Sequence, residues 1–495
     1  LLRRRKPRLR GAPPAVAFGQ CLAVRHVAVL PRAQPCVHPE PGCPNPRLAL
    51  RPLWAHPRLV LIRLITPANE DSAFVRSLAV CVLAAHTPRF ARVEHTDDLL
   101  HPIPLDRLPP ADLVGISVFS KTARRAYAIA DAYRAARIPV VLGGIHVTAC
   151  PSEGAAHADA VVVGEAEGLW HQVVLDAMSG RLQPLYRRDR FPSLERQPFP
   201  SRDRSLFPSR RYIPMDVVQS MRGCPFQCEF CSVNVQAGSE LRLRPARDVA
   251  EELERLGRFV MFADDNIIVT PGRARELLGE IAPLRKRWIG QASLAGLDRP
   301  ENVELLRRSG CIGLFIGFET LSETSLRAQR KFQNHPSRYL DTVARLHDAG
   351  IAIWGSFVFG FDGDDPSVFD RTVAFAREAR LTMAMFTLLT PYPGTLLYAR
   401  LQREGRLSSP AWWLETDHDR LFPAFEPQGM TRTQLREGWM KAWHDFYGAR
   451  SILSRWRPRV RNGLLESLAF LPLNAFMHRL TEEKIVAGHR FFVGR

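Results

Sequence analysis

The chain has 495 residues, of which 46% are hydrophobic and 24% charged, with a formal net charge of +18. That length and apolar content supply two or three cored domains and exclude a chain disordered throughout. Nine cysteines in so long a chain exclude a small disulfide scaffold and fit a reducing cytoplasm, and no uninterrupted apolar run reaches the roughly 18 residues of a membrane-spanning helix.

Residues 1–56 are rich in Arg and Pro without a structural period and read as a disordered arm or an over-extended reading frame. The first methionine is Met178, inside sequence with folded patterning, so translation is expected to begin at a non-AUG codon or the chain to be incomplete at its start. Cys36, His38 and Cys43 resemble a metal cluster, but their Pro-rich surroundings favour chance. Positive charge gathers at Arg3, Arg4, Arg5, Lys6, Arg8 and Arg10, and again at Arg455, Arg457, Arg459 and Arg461. Such clusters could meet nucleic acid or anionic lipid, or be solvated faces.

Residues 57–182 alternate apolar strands (LVLIRL, DLVGISVF, IPVVLGG, DAVVVGE) with amphipathic helices, which predicts an α/β, doubly wound, Rossmann-like domain on a parallel sheet. Ligands of such sheets bind beyond the carboxyl ends of the strands, here the loops at Thr66, Ser117 to Ser120, Gly143-Gly144-Ile145-His146 and Gly164-Glu165. Residues 183–212 read as a connector. Residues 213–405 carry a second βα series of six strands, predicting a partial (β/α)6 barrel of TIM type. Ser220, Asp264, Asp265, Gln291, Ser293, Glu319 and Asp362 fall at its strand tips, where barrel chemistry belongs. Residues 406–495 read as mainly helical, with Trp439, Trp443 and Phe446 on one helical face as packing.

The string RGCPFQCEFCSV places Cys224, Cys228 and Cys231 directly after the first barrel strand. Three thiolates on one short loop can each hold one iron of a [4Fe-4S] cluster, and the missing fourth cysteine leaves one iron open for a substrate or cofactor. The alternative, a zinc site, wants a fourth Cys or His nearby, and none follows within thirty residues.

This triad at the head of a six-stranded βα series resembles the radical S-adenosylmethionine (SAM) superfamily, and the preceding domain resembles the cobalamin-binding domain of its B12-dependent subgroup. The segments FADDN, IGFE and Thr390-Pro-Tyr-Pro-Gly-Thr-Leu-Leu-Tyr398 are similar to those of cobalamin-type enzymes that methylate unreactive carbon, hopanoid methylases among them. The resemblance implies that SAM chelates the open iron and is cleaved to a 5′-deoxyadenosyl radical, that a second SAM methylates cobalt, and that a low-potential donor such as flavodoxin or ferredoxin supplies electrons. It further implies that Phe230, Gln291, Ser293, Gly317, Glu319 and Gly360 bind SAM, and that Ser117, Ser120, Gly143, Gly144, His146, Gly164 and Glu165 face cobalamin. FADDN (Asp264, Asp265, Asn266) could also bind a metal or cap the next helix, with a SAM or substrate role favoured. The loop TPANEDSAF lacks the Asp-x-His-x-x-Gly signature that offers a histidine to cobalt; members of the subgroup often lack that histidine, so its absence removes a sharp marker without refuting cobalamin binding.

Carbon methylation of a lipid or natural product is therefore the leading expectation. A cyclase or rearrangement enzyme sharing both cofactors, or a nucleic-acid-modifying protein using the basic ends, are the competitors. Arg455 to Arg461 beside LLESLAFLPLNAFMHRL could make a peripheral membrane contact, with ordinary helix packing the favoured alternative.

Overall fold

A computed structural model describes residues 59–68, 75–416, 422–456 and 469–482. The Arg- and Pro-rich stretch with Cys36, His38 and Cys43, most of the TPANEDSAF loop, and Arg457, Arg459 and Arg461 lie outside the described residues.

The first sheet comprises β1 (Val60–Thr66), β2 (Ala91–Asp97), β3 (Leu113–Ser117), β4 (Val140–Gly143), β5 (Ala160–Val163) and β6 (Leu185–Arg187), in the order β2-β1-β3-β4-β5-β6. Every pair is parallel. Helices cover both faces. On one, Val114, Ile116, Val140 and Leu142 pack on α2 (Ala123–Ala135) through Ala126, Ile129 and Tyr133, beside α3 (Ile145–Ala149) and α4 (Pro151–His157). On the other, Ile62, Leu64, Leu113 and Val162 pack on α1 (Leu78–His86) and α5 (Trp170–Met178) through Val80, Trp170 and Val173. This is the doubly wound architecture that continuous apolar strands demand. Two strands escape sequence reading: β2 (ARVEHTD) and β6, which lies inside the expected connector. Both are edge strands with few apolar residues, so they carry no buried-strand signature.

The second sheet comprises β7 (Asp216–Val218), β10 (Phe259–Phe262), β11 (Arg287–Ala292), β12 (Cys311–Glu319), β13 (Ala352–Phe359) and β14 (Met383–Leu388), in the order β14-β13-β12-β11-β10-β7. It is parallel throughout and open between β14 and β7, a partial barrel as expected. A short antiparallel hairpin, β8 (Met221–Arg222) with β9 (Arg242–Leu243), stands at its first strand. The crossovers are α6 (Val233–Ala237), α7 (Ala246–Glu254), α8 (Pro271–Ile281), α9 (Pro300–Arg308), α10 (Glu323–Ala328), α11 (Tyr339–Asp348) and α12 (Val368–Glu378), followed by α13 (Leu396–Arg403). Leu314, Ile316, Phe318, Ile353, Phe357 and Phe386 fill the helix-covered face. On the opposite face two rows in register, Gln291, Phe315, Trp354 and Gly317, Ser356, Met385, stay open to solvent in whole or part.

The C-terminal region supplies what the open sheet lacks. Strand β14 is an edge whose outer backbone groups need partners. In α14 (Arg432–Tyr447), the indole N–H groups of Trp439 and Trp443 both donate to Phe386 O, at 2.7 and 2.9 Å, and Tyr447 Oη donates to Ala384 O at 2.8 Å while accepting from Ala384 N at 3.2 Å. The aromatic stripe is packing, as expected, and it also caps the sheet edge.

At the end of α15 (Ala449–Arg455), Arg455, the one described member of the basic run, is only 3% exposed. Its guanidinium lies 3.8 Å over the Phe446 ring and donates to Leu381 O, Phe446 O and Asn474 Oδ1. Burial pushes it down to about 10. It ties α14 and the helix bearing Asn474 to the segment entering β14 rather than offering its charge to lipid or nucleic acid. No helix among the described residues is long and apolar enough to cross a membrane.

Replacing Tyr447 by Phe removes one hydroxyl and leaves buried Ala384 groups unpaired. Unfolding in urea should show a loss of about 1–3 kcal/mol; an unchanged midpoint would mean that the edge is capped by something else.

Candidate active site

The loop carrying the three cysteines is shaped before its chemistry is considered. Gly223 has φ +85°, and a Cβ there would collide with Glu240 O, so the turn into Cys224 requires glycine. Cys224 N donates to Gly238 O at 3.3 Å, Cys231 N to Cys228 O at 3.1 Å, and the Asn234 amide to Phe226 O at 2.9 Å. The three thiols are mutual neighbours. Burial raises each of them, Cys231 up to about 12 with added repulsion from Cys228 and Cys224, while the Lys331 ammonium pulls all three down. Among the described residues no three His, Cys, Asp or Glu side chains converge as a set for one metal ion. A cubane cluster gives each thiolate its own iron, so its three ligands need not converge on one ion, and three cysteines on one loop are the donor set it takes.

Two ion-pair frameworks hold the loop. Behind it, Arg400 of α13 pairs with Glu229 at 2.8 Å and with Asp362 at 2.8 Å, and Arg406 reaches Asp362 at 2.7 Å. Leu397 N also donates to Glu229 O at 2.9 Å, so the segment Thr390 to Tyr398 braces the cysteine loop. Asp362, expected at a reactive strand tip, is committed to two guanidinium groups. In front, Arg222 pairs with Glu165 at 2.8 Å and also with Glu167, and Arg242 pairs with Glu165. This clasp joins the first domain's β5 loop to the residue two positions before Cys224.

At the barrel tips, Glu319 adopts φ +65°, uncommon for a side chain of its size, across a register shift between β12 and β13. Its carboxylate folds over Gly317, occupying the space a Cβ there would need, and accepts from Lys331 Nζ. Burial alone would lower Lys331, but Glu319 and the Cys228 and Cys231 thiols hold it above its ordinary range. The Phe230 ring lies 6.0 Å from both Phe361 and Lys331 Nζ. Asn266 and Ser293 bond reciprocally, Nδ2 to Oγ at 3.0 Å and backbone N to Oδ1 at 3.1 Å, locking the β10 tip to the β11 tip. Gln291 is exposed on the open face.

Asp264 is fully buried and accepts from Ser220 N, Ser220 Oγ and Met221 N, with its carboxyl raised to about 6 by burial. It orders the β7–β8 turn instead of capping α8, whose cap is Thr270. Asp265 beside it is also raised to about 6 by burial and has no partner among the described residues, which leaves it free to meet a ligand. Gly360 differs from expectation: with φ +108° it is walled in by Leu435 and Phe425, and its N–H goes to Asp364. The C-terminal region has closed over it.

At the mouth of the first sheet, Gly143 and Gly164 face open space: a Cβ would meet nothing within 4 Å at Gly164, and only Val162 at 3.9 Å at Gly143. Ser117 stays partly exposed, and Gly144 with φ +99° lets its backbone lie against Val118. A large planar cofactor can approach the main chain here. Ser120 and His146, expected to face it, are instead buried. His146 Nδ1 lies 3.1 Å from Ser120 Oγ and Nε2 lies 2.9 Å from Glu153, which also accepts from Tyr127 Oη and Trp413 Nε1. Trp413 comes from the C-terminal region, so this network docks that region on the first domain. Glu165 likewise turns from the mouth to its arginines.

Lys331, Arg222, Arg242, Arg400 and Trp413 are site residues that sequence reading passed over. Arg222 adjoins the cysteine motif and Glu165 and Glu167 lie in the quoted GEAEG turn, so opposite charges in two motifs were the available signal. Lys331 and Trp413 carried none.

Comparison with known proteins gives concordant results. Residues 218–376 match the radical SAM superfamily, residues 106–174 the B12 binding domain, and residues 395–467 a domain of unknown function. The bacteriochlorophyllide d C-12(1)-methyltransferase of Chlorobaculum tepidum is 30% identical over 85% of this chain and 94% of its own. The hopanoid C-2 methylase of Rhodopseudomonas palustris is 29% identical over 69% of this chain and 67% of its own. The cobalamin-dependent S-adenosylmethionine radical enzyme OxsB, solved with aqua-cobalamin and S-adenosylmethionine, superposes with a TM-score of 0.62 at 13% identity, over 85% of this chain and 72% of its own.

Changing Glu165 to Gln should strip one anion from a clasp whose members are nearly buried. A cost of about 3 kcal/mol in urea unfolding is expected, with faster proteolysis between residues 188 and 203; a variant as stable and as resistant as the parent would contradict the clasp. From its cysteine loop, its two parallel sheets and these relatives, the chain belongs to the cobalamin-dependent radical SAM methyltransferase family.

Proposed function

We propose that this chain methylates an unactivated carbon of a large, apolar substrate, with a tetrapyrrole of the bacteriochlorophyllide class as the first candidate. The observation that carries the reading is the helix-free barrel face, where Phe315, Trp354 and Met385 lie in adjacent register with Gln291 and Ser356, and the Glu319–Lys331 pair lies over Gly317. Such a surface buries apolar area and offers few polar anchors, as small-molecule sites do. The tetrapyrrole is favoured because that relative aligns along 94% of its length, against 67% for the hopanoid enzyme.

In this reading Cys224, Cys228 and Cys231 hold the [4Fe-4S] cluster. Glu319 and Lys331 present opposite charges to the amino and carboxylate groups of SAM, Phe230 gives its adenine an apolar wall, and Gln291 and Ser293 offer polar contacts. Ser117, Gly143, Gly144 and Gly164 admit cobalamin to the backbone. When bound, these groups supply one-electron cleavage of SAM and a transferable methyl group. The chain's own part is to fix their spacing and exclude water: the two clasps immobilise the cysteine loop, and the strained Glu319 is pre-placed by Lys331, so little reorganisation is left to the reaction. The C-terminal region, closed over Gly360 and latched by Trp413, walls the site.

Anaerobic protein reconstituted with iron, sulfide and hydroxocobalamin, given a bacteriochlorophyllide and methyl-deuterated SAM, should yield a product carrying the intact labelled methyl group, and none when cobalamin is left out. A product without label would contradict methyl transfer; turnover of a hopanoid but not of the tetrapyrrole would contradict the substrate assignment.

A further inference from the structure

We infer that the connection between α10 and α11, centred on Phe332, is the docking surface for an acidic, flavin-carrying electron-transfer protein of the flavodoxin type; this rests on the function proposed above.

The stretch Gln329 to Asn334 lies against the cysteine loop. Gln333 Nε2 lies 3.9 Å from Cys228 Sγ, and Glu229 N donates to Gln329 O at 3.0 Å. Lys331 turns inward to Glu319, and Asn334 turns inward to the Gly317 and Phe318 carbonyls. Between them Phe332 points out, 65% exposed, the highest exposure of any large apolar side chain among the described residues. Leu453 is comparably exposed, but on α15, which packs against α12 and α14 and has no such contact with a cysteine. From the Phe332 ring to a thiol of the triad is therefore one residue along the chain, a short route for an electron.

The charge around this ring selects the partner. On the outer side of residues 323–340 the charged groups are Arg327, Arg330 and Arg338 against one carboxylate, Glu323, Lys331 being spent on Glu319. Arg330, held at φ +55°, is exposed and has no acidic partner among the described residues. Arg327 and Arg338 make only exposed pairs, with Glu323 at 3.8 Å and Asp298 at 3.3 Å, which are weak and can be exchanged for a partner's acids. A basic rim around an exposed aromatic ring is complementary to an acidic protein with a flat, exposed flavin edge. In the transfer, the anionic flavin hydroquinone gives up one electron to become the neutral semiquinone, keeping its N5 proton, and the oxidised iron–sulfur centre takes up that electron.

The test uses the reconstituted full chain and two variants, Arg330→Gln and the double change Arg330→Glu with Phe332→Ala. Reduction of the centre by flavodoxin hydroquinone is followed in stopped flow and by EPR, with dithionite as the small-molecule control. The parent rate should fall with rising salt, and the double variant should be reduced by flavodoxin about tenfold or more slowly, with Arg330→Gln intermediate. Iron content and the dithionite rate should be unchanged. Equal flavodoxin rates in parent and double variant would overturn the assignment, as would the same loss appearing with ferredoxin and not with flavodoxin. A chain that binds iron and accepts electrons from dithionite but does not cleave SAM would instead sink the proposed function and leave the docking result standing.

Discussion

Everything at the site depends on how the loop from Arg222 to Cys231 is pinned. A loop that must present three thiols to a metal cluster cannot also satisfy itself by regular hydrogen bonding, and it has no hydrophobic core of its own. The chain solves this with charge: Glu165 and Glu167 on one side take Arg222 and Arg242, and Arg400 on the other takes Glu229 and Asp362. Buried ion pairs are poor sources of net stability, because desolvation cancels much of their attraction, but they specify geometry when one partner cannot leave without stranding the other. Here they specify the position of the cysteine loop relative to both the first domain and α13.

The same economy explains the C-terminal region. The barrel is open, so β14 has a bare edge, and α14 covers it with three side-chain hydrogen-bonding groups one helical turn apart. Arg455 and Asn474 then tie the following helices to the β14 end, and Trp413 ties the preceding segment to Glu153 of the first domain. The region therefore bridges the two sheets and covers the β13 tip at Gly360.

Much of this was legible in the amino-acid sequence, for identifiable reasons. Buried parallel strands are continuous apolar runs, so all six barrel strands and four of the six strands in the first sheet stand out; β2 and β6, polar edge strands, do not. The cysteine spacing is local and chemically specific. What sequence could not show is which polar tip residues face outward. Ser120, His146 and Glu165 lie at the right strand ends, yet His146 is turned into a Ser120–Glu153 network and Glu165 into a clasp, because their partners sit on other elements, from seven residues away for Glu153 to 77 for Arg242. Arg455 shows the same limit: in sequence it is one of a basic run, and in the fold it is a buried tie to Phe446 and Asn474.

The central claim is that Cys224, Cys228 and Cys231 carry an iron–sulfur cluster in a chain that also takes cobalamin. Anaerobic reconstitution with iron, sulfide and hydroxocobalamin, followed by desalting and metal analysis of the parent and of the variant with all three cysteines changed to alanine, tests it most directly. The account predicts about four irons and about one cobalt per parent chain, with the iron lost and the cobalt kept in the variant. Iron retained by the variant, or a parent that binds zinc in place of iron, would contradict it.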